Sequence, residues 1–265
     1  MNGKFIISLD FELHWGVFDA LTLEAYENNL LNVTNVVERL IELSDQYGVK
    51  LTFATVGLLF AGNKDELKKH IPTSIPKYTN EKLNPYRLLD QIGNNEKVDS
   101  IHYAKSVINK INLNKNHEIG THTFGHYNCL ASGQSTLDFN ADLIAANNIA
   151  NDMDIEVKSI VFPKNQVNND YLKVCKENGI TNYRGTEKHV VYDPNPNLTG
   201  IKKHFYILYR LLRLMDGYIN ISGYNTYSFK DLKPDVVMID YSLPNMSGVQ
   251  VAEKILAENI YAHLV

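Results

Sequence analysis

The sequence predicts an α/β fold in which parallel strands form an open sheet or a barrel. Short apolar runs alternate along the chain with longer segments of helical periodicity, as in repeated βα units. Polar or charged residues follow several of these runs, and parallel sheets collect ligand groups at the carboxyl ends of their strands. With 265 residues, 44% of them hydrophobic, the chain is long enough for one large α/β domain or two small ones.

The predicted strands come in a regular order along the chain. Each is a short apolar run bounded by polar residues, glycine or proline, which is the usual pattern of a buried parallel strand. In chain order, they cover residues 4–10, 49–56, 117–123, 159–163 and 179–184.

Two long segments between these strands have the spacing of amphipathic helices. The first covers residues 23–47 and stops at Gly48, and the second covers about 136–153. Residues 62–116 are polar, rich in Asn and Lys, and contain three of the eight prolines. We therefore predict that this stretch is an insertion with short helices.

The composition excludes several classes of protein. Lys and Arg total 26 and Asp and Glu total 30, which gives a formal net charge of −4, so the chain lacks the positive field of a nucleic-acid-binding protein. Its two cysteines are too few for a disulfide framework. The sequence has no recognisable signal peptide and no apolar stretch of about 18 residues that could span a bilayer. We therefore expect a cytoplasmic protein without a membrane span, and the sequence does not predict its oligomeric state.

Two pairs of polar residues stand at strand ends. Asp10 and Glu12 end the first strand, and His122 and His126 follow the third. On a helical turn, histidines four residues apart lie on one side and can bind one cation. Two neutral imidazoles and one carboxylate, with positions left open, form the ligand set of a catalytic divalent metal site. The second carboxylate is then available as a general base.

Each pair also has a simpler structural interpretation. An acidic pair after a strand commonly caps a helix or lies in a solvated turn. Two histidines at this spacing, taken alone, are more often unrelated to a metal. Their combination at the ends of predicted parallel strands favours the metal site.

Several stretches of the sequence resemble the polysaccharide deacetylases, the NodB-homology domain of carbohydrate esterase family 4. The similarity extends over about residues 3–225 and is most specific in the first stretch and around the histidine pair. The stretches are residues 6–12, 51–57, 117–126, 154–166 and 179–184.

This resemblance implies a distorted (β/α) barrel that holds one divalent metal ion, with zinc as the expected ion. It implies a hydrolase that removes acetyl groups from an N-acetylated sugar or polysaccharide by cleaving a non-peptide C–N bond. The partner is then a carbohydrate substrate, with a lipid-linked sugar as one form of it.

The resemblance also assigns roles to individual residues. Asp10 corresponds to the catalytic base, and His122 and His126 correspond to metal ligands. Phe11 stands at the position of the family's second aspartate and cannot bind a metal, so we take Glu12 as the third ligand. An exchange of roles between Asp10 and Glu12 stays open.

Two further positions depart from the family pattern. Val161 stands where the family has an arginine that orients the base, and Lys164 and Arg184 are the candidate replacements. The family's C-terminal histidine, which serves as general acid, has no counterpart in the sequence. His14, His102, His117 and His204 are the candidate acids in its place, with His14 the nearest to the site in sequence. We expect the barrel to be incomplete at its C-terminus.

The C-terminal segment resembles a different family. Residues 229–265 are similar to the middle of a response-regulator receiver domain, with Asp240 at the phospho-acceptor position. A single βα unit cannot bury its own apolar strand, so we expect Asp240 to be inactive. The predicted organisation is thus a deacetylase-like barrel over residues 1–228 and a partial receiver-like segment over residues 229–265.

Two alternative functions remain beside the hydrolase. One is a signalling or binding protein related to two-component response regulators. The other is a catalytically inactive, truncated deacetylase. Metal content, acetate release and phosphorylation of Asp240 distinguish the three.

Overall fold

The structure of the protein is a computed structural model that describes residues 7–185 and short segments of the C-terminal part. Residues Ser8–Thr186 form one compact unit. Beyond residue 185 the described segments are two pairs of two-residue strands: Val236–Val237 parallel to His263–Leu264, and Ser242–Leu243 antiparallel to Met246–Ser247. The rest of the predicted receiver-like segment, including Asp240, lies outside the described residues.

Five strands form one sheet in the order β1-β2-β3-β4-β5. The strands from β2 to β5 pair in parallel, with Phe53 opposite Ile119 and Ile160 opposite Tyr183. The predicted α/β class is confirmed, and β2 to β5 are shorter than the apolar runs that predicted them. The strands are β1 (Ile7–Phe11), β2 (Leu51–Thr55), β3 (Glu118–Thr121), β4 (Ser159–Val161) and β5 (Asn182–Arg184).

Helices connect these strands. Short 3₁₀ helices lie at Gly57–Phe60, Glu81–Leu83, Pro85–Leu88 and Pro163–Asn165. The α-helices are α1 (His14–Val17), α2 (Leu23–Leu31), α3 (Val33–Tyr47), α4 (Lys64–His70), α5 (Lys105–Leu113), α6 (Thr136–Asn151) and α7 (Tyr171–Glu177).

The helix predicted over residues 23–47 is in fact two helices, α2 and α3, which meet at Asn32. The amide oxygen of Asn32 accepts a hydrogen bond from the Asn35 side chain at 3.1 Å. Asparagine side chains compete for local hydrogen bonds and so favour helix ends over helix interiors. The apolar spacing continues across this point, which is why the sequence pattern does not show the break.

The predicted insertion, residues 62–116, connects β2 to β3. Its final helix, α5, packs against β3 and buries Ile108 and Ile111 completely. Parallel strands need such a crossover helix between them, so α5 is part of the helical layer that covers the sheet. The earlier part of the stretch contains α4 and two 3₁₀ helices and also has buried side chains, among them Leu67 and Tyr103.

The sheet curves so that its two edges approach each other. β1 and β5 are the edge strands, yet Arg184 of β5 donates hydrogen bonds to Ser8 and Asp10 of β1. A flat sheet of five strands spaced about 4.8 Å apart would keep these side chains out of reach. The sheet therefore has the form of a half-barrel, and the carboxyl ends of its strands surround one region.

In the part of the chain that the structure describes, every helix is too short or too polar to cross a lipid bilayer.

Candidate metal centre

The three predicted ligands lie together at the carboxyl ends of β1 and β3. Oε2 of Glu12 is 3.2 Å from Nε2 of His122 and 3.2 Å from Nε2 of His126. Among the described residues, no other three His, Cys, Asp or Glu side chains bring their ligand atoms within 4.8 Å of one another. We call these three residues the convergent cluster. The structure brings together the set that the sequence predicted, and the ligand roles remain a prediction.

The tautomer of His122 follows from its other hydrogen bond. Its Nδ1 is 2.8 Å from the carbonyl oxygen of Val161, which can only accept, so Nδ1 carries a proton and donates it. In a neutral imidazole, Nε2 then has a lone pair instead of a proton. That lone pair faces the carboxylate oxygen of Glu12, and such a contact requires a cation or an additional proton between the two atoms.

The spacing of the donor atoms fits a small divalent ion. Zinc lies about 2.0–2.2 Å from imidazole nitrogen and carboxylate oxygen in tetrahedral sites, which separates neighbouring ligand atoms by about 3.3 Å. The 3.2 Å separations from Glu12 to the two imidazoles agree with this geometry. The donor set also leaves a fourth position free, as in catalytic zinc sites.

The cluster is buried on its imidazole side and open on its carboxylate side. The side chains of His122 and His126 are 1% and 2% exposed, whereas that of Glu12 is 27% exposed. Nδ1 of His126 is buried and has no hydrogen-bond partner among the described residues. A substrate therefore has access to the cluster from the side of Glu12.

Electrostatics favour an ionised Glu12 and a neutral His126. Burial alone would raise the pKa of Glu12, but its close contacts with His122 and His126 outweigh it and hold this pKa well below its usual range. Burial lowers the pKa of His126, and the neighbouring His122 and Lys164 add to the effect while Glu12 opposes it. Metal ligands need these protonation states, because only the unprotonated groups bind a cation.

Gly16 makes room for the Glu12 side chain. A Cβ atom at Gly16 would lie 1.9 Å from Cδ and 2.2 Å from Oε1 of Glu12. No side chain larger than hydrogen fits there without moving the carboxylate. Gly16, in the first turn after β1, is therefore required by the position of Glu12.

Backbone strain is concentrated in the loops of the site. Five of the six non-glycine residues with positive φ in the described part of the chain lie just after β1, β3 or β4. Such backbone conformations cost free energy and tend to occur at functional sites. The five residues are Leu13 (φ 46°), Thr123 (65°), His126 (51°), Lys164 (55°) and Asn165 (54°).

Asp10 lies outside the convergent cluster and is held by Arg184. Nη2 of Arg184 donates to Oδ2 of Asp10 at 2.8 Å and to Oδ1 of Asn165 at 3.0 Å, and Nη1 donates to Oγ of Ser8 at 3.1 Å. The ion pair is partly open, with the two side chains about one-third exposed. Of the two predicted replacements for the family's arginine, Arg184 is the one that contacts Asp10.

Lys164, the other replacement, forms an ion pair with Asp19. Its ammonium group is nevertheless close enough for its charge to lower the pKa of His126. Lys164 therefore lies near the convergent cluster without touching Asp10.

His14 belongs to a second group of titratable residues. Nδ1 of His14 is 2.7 Å from Nε2 of His102, and Nδ1 of His102 is 2.8 Å from Oδ1 of Asp99. We call these three the linear cluster. Burial and the neighbouring His102 lower the pKa of His14 to about 4, so its imidazole is unprotonated at neutral pH.

Several residues around these clusters were not singled out from the sequence. Asp99 lies in the polar stretch 62–116, where nothing distinguishes it from solvated residues; His102, one of the candidate acids from the sequence, lies in the same stretch. Asp142 lies in the middle of α6 and is 1% exposed. A charged residue among the apolar residues of a predicted helix is a usable signal, and it marks Asp142.

Comparison with known proteins gives distant structural similarities. No protein-family profile matches the sequence, and no curated protein is similar to it. A CE4 family pseudoenzyme from Bacillus anthracis superposes at a TM-score of 0.39 with 14% identity, covering 69% of this chain and 44% of that one. A de-N-acetylase from Aggregatibacter actinomycetemcomitans superposes at 0.41 with 13% identity, covering 70% and 64%. This chain thus spans less than two-thirds of either structure, and at TM-scores below 0.5 we base no conclusion on them.

Proposed function

We propose that the protein is a metal-dependent hydrolase that removes acetyl groups from an N-acetylated sugar or polysaccharide. The observation that supports this most strongly is the convergence of the His122 and His126 imidazoles on one carboxylate oxygen of Glu12, while Nδ1 of His122 donates to the carbonyl of Val161. A divalent cation satisfies all three groups at once. The location of the cluster, at the carboxyl ends of parallel strands, is where α/β folds place their reactive groups.

The cation would be held by Glu12, His122 and His126, and we propose zinc because the donor atoms have tetrahedral spacing. A divalent ion in such a site acts as a Lewis acid toward an acyl carbonyl group. The protein keeps His122 oriented through the carbonyl of Val161 and keeps Glu12 accessible to solvent. Both features suit a site that must also admit substrate.

Asp10 would accept the proton of the attacking water, as the general base of the reaction. Arg184 would orient the carboxylate of Asp10, since its fork also contacts Ser8 and Asn165 and so has a fixed position. The opposite assignment, with Asp10 as ligand and Glu12 as base, is less well supported, because Glu12 contacts both histidines.

The proposed reaction also needs a general acid that protonates the leaving amine. His14, the candidate from the sequence, has a pKa lowered to about 4 and would not carry a transferable proton at neutral pH. Its acid role stays a prediction, and its environment weighs against it. Lys164, whose charge acts on His126, is the other cation near the cluster that could interact with a substrate oxygen.

The lowered pKa of His14, which leaves the reaction without this general acid, supports a second candidate function. A chain that keeps the metal and the carbohydrate site but lacks a competent acid would bind its ligand without turnover. This is the inactive deacetylase that the sequence left as an alternative. The two candidates share the convergent cluster and differ only in acetate release.

The carbohydrate part of the proposal rests on the resemblance of the five sequence stretches to polysaccharide deacetylases. The distorted barrel of that family agrees with the curved sheet, in which β1 and β5 are joined by side chains. An N-acetylglucosamine oligomer is therefore the appropriate first substrate.

The test is to purify the chain, measure bound metal, and assay acetate release from N-acetylglucosamine oligomers for the wild type and for His122→Ala. The proposal predicts one divalent ion per chain and acetate release, with both lost in His122→Ala. Metal without acetate would favour the inactive alternative. A wild-type chain that binds no divalent ion would refute both candidates.

A further inference from the structure

We infer that Asp142 is a positioning residue for the convergent cluster: it fixes the loop between His122 and His126 so that both imidazoles face Glu12. The inference rests on the proposed metal site, although it does not depend on which substrate that site takes. It assigns a function to a buried carboxylate that contacts neither histidine directly.

Asp142 binds the loop through both of its oxygens. Oδ1 accepts a hydrogen bond from the backbone N–H of Phe124 at 2.6 Å, and Oδ2 accepts one from the N–H of Gly125 at 2.9 Å. These two peptide groups lie between the two histidines in the sequence. Because both are fixed by one rigid carboxylate, the direction in which the chain enters His126 is fixed as well.

The other side of the loop is held by backbone groups alone. The N–H of Gly57 donates to the carbonyl of Thr123 at 2.9 Å, and the N–H of Leu58 donates to the carbonyl of Phe124 at 3.0 Å. Almost any sequence could supply these backbone donors. The N–H groups of Phe124 and Gly125, by contrast, depend on the side chain of Asp142, while Oγ1 of Thr123 accepts the N–H of Tyr127 at 2.7 Å.

The loop needs such support because its backbone is strained. Thr123 has φ of 65° and His126 has φ of 51°, both in the left-handed region that disfavours residues with side chains. Strained residues keep these conformations only where surrounding contacts hold them. Without Asp142 we expect the loop to relax and the two Nε2 atoms to separate.

Gly125 and Tyr86 show how little space the loop has on this side. A Cβ atom at Gly125 would lie 2.8 Å from Oη of Tyr86 and 3.2 Å from Oδ2 of Asp142. The Tyr86 hydroxyl is buried and has no hydrogen-bond partner among the described residues. It therefore limits the loop by its volume, while Asp142 holds it by hydrogen bonds.

The cost of burying Asp142 argues against a purely structural role. Burial raises the pKa of Asp142 to about 7, even though the hydrogen bonds from Phe124 and Gly125 oppose this shift. A neutral acceptor would avoid much of this cost. Groups that orient metal-binding residues commonly change metal affinity by 10–100-fold when they are replaced, and Asp142 holds the loop that leads into His126.

The experiment compares the metal affinity of the wild-type chain with that of Asp142→Asn, by competition with a chromophoric zinc chelator. The asparagine amide has one oxygen, so it can accept only one of the two N–H groups and turns its own N–H₂ toward the other. We expect the dissociation constant for zinc to rise by about 10–100-fold. With cobalt in place of zinc, the visible absorption bands should also change in position or intensity.

Ser135→Ala is the matched control, because Ser135 caps the same helix by accepting the N–H of Asp138 and does not contact the loop. It should lower the unfolding temperature and leave the zinc dissociation constant unchanged. If Asp142→Asn changed stability as the control does and kept wild-type zinc affinity, Asp142 would be a structural residue only.

Gly125→Ala provides a second route if Asp142→Asn does not fold. The added Cβ should displace the loop and weaken zinc binding, and Tyr86→Phe in the same chain should restore part of the affinity by removing the closest atom. Gly125→Ala with wild-type zinc affinity would contradict the inference.

Zinc affinity and acetate release are measured separately, so a chain that binds zinc but releases no acetate refutes the hydrolase alone. A wild-type chain that binds no zinc refutes both.

Discussion

The convergent and linear clusters contain the same side chains, two histidines and one carboxylate, but they arrange them differently. In the convergent cluster, both Nε2 atoms lie 3.2 Å from a single oxygen of Glu12. In the linear cluster, contacts of 2.8 Å and 2.7 Å run end to end from Asp99 through His102 to His14. The ligand atoms of the convergent cluster therefore face one common point, whereas donors and acceptors alternate along the linear cluster.

The difference shows which arrangement needs a metal. Burial alone would raise the pKa of Asp99, but His102 and backbone N–H groups lower it, so Asp99 accepts from Nδ1–H of His102. The Nε2 atom of His102 then accepts the Nδ1–H of His14, and one proton lies in each contact. In the convergent cluster, His122 has already used its proton on Val161. The linear cluster is complete with its own protons, whereas the convergent cluster needs a cation or an additional proton between Nε2 of His122 and Glu12.

The largest expected effect is the loss of metal binding in His122→Ala. Removing one of three protein ligands should reduce zinc content from one ion per chain to none after dialysis, as measured by atomic emission. His102→Ala is the matched control, since it removes a buried histidine from the linear cluster. Loss of zinc in His102→Ala together with retention in His122→Ala would reverse the assignment of the two clusters.

A substitution in the linear cluster should lower stability without changing zinc binding. Asp99→Ala leaves the N–H groups of His102 and Gly93 without their buried acceptor, which should lower the free energy of unfolding by about 1–3 kcal/mol. Zinc affinity should stay at the wild-type value. Chemical denaturation in the presence of a chelator measures the first quantity, and chelator competition measures the second. A fall in zinc affinity without a change in stability would show that the linear cluster acts on the metal site.

The contribution of Asp142 to stability should depend on pH differently from that of Asp99, because the partners of Asp142 are backbone N–H groups and that of Asp99 is a histidine. Its pKa is raised by burial from 3.8 to about 7, so its contribution to stability is complete below about pH 3.8 and is lost as the pH rises through 7. Asp99, with a lowered pKa, has the opposite sign: its contribution is present above its ordinary pKa and is lost in acid.

The measurement is the free energy of unfolding against pH, with chelator present, for the wild type and Asp142→Asn. From pH 4 to pH 8 the wild type should lose stability relative to the variant. A difference between the two proteins that stays constant over this range would show that Asp142 titrates as an ordinary, solvated carboxyl group.

The smallest effect on stability should come from Arg184→Lys. The ion pair with Asp10 is partly exposed, so its loss should cost at most about 1 kcal/mol. Lysine cannot contact Asp10, Ser8 and Asn165 together, so kcat should fall while KM and zinc content stay near their wild-type values. If kcat were unchanged, Arg184 would have no part in orienting Asp10.

Much of the fold was predictable because hydrophobic periodicity is a local signal. The positions of the five strands along the chain followed from their apolar runs, and α6 followed from its helical spacing. The break at Asn32 was not predictable in this way, because Leu30 is buried and Leu31 is exposed although both continue the same apolar pattern. Only the packing of the two helices distinguishes these residues.

The candidate site was predictable only to the extent that it follows from strand ends. Glu12 and His122 come directly after parallel strands, so their meeting was expected from topology. The choice between Lys164 and Arg184 was not, because it depends on how far the sheet curves. The contact of His14 with His102 and the support from Asp142 to the loop each join residues more than 15 positions apart, so no pattern within a single element indicates them.

The most direct test of the account is an anomalous-scattering measurement at the zinc absorption edge on crystals of the zinc-loaded protein. We predict one anomalous peak, about 2.0–2.2 Å from Oε2 of Glu12 and from Nε2 of His122 and His126. A peak at the linear cluster instead, or three ligands that do not include Glu12, would contradict the account.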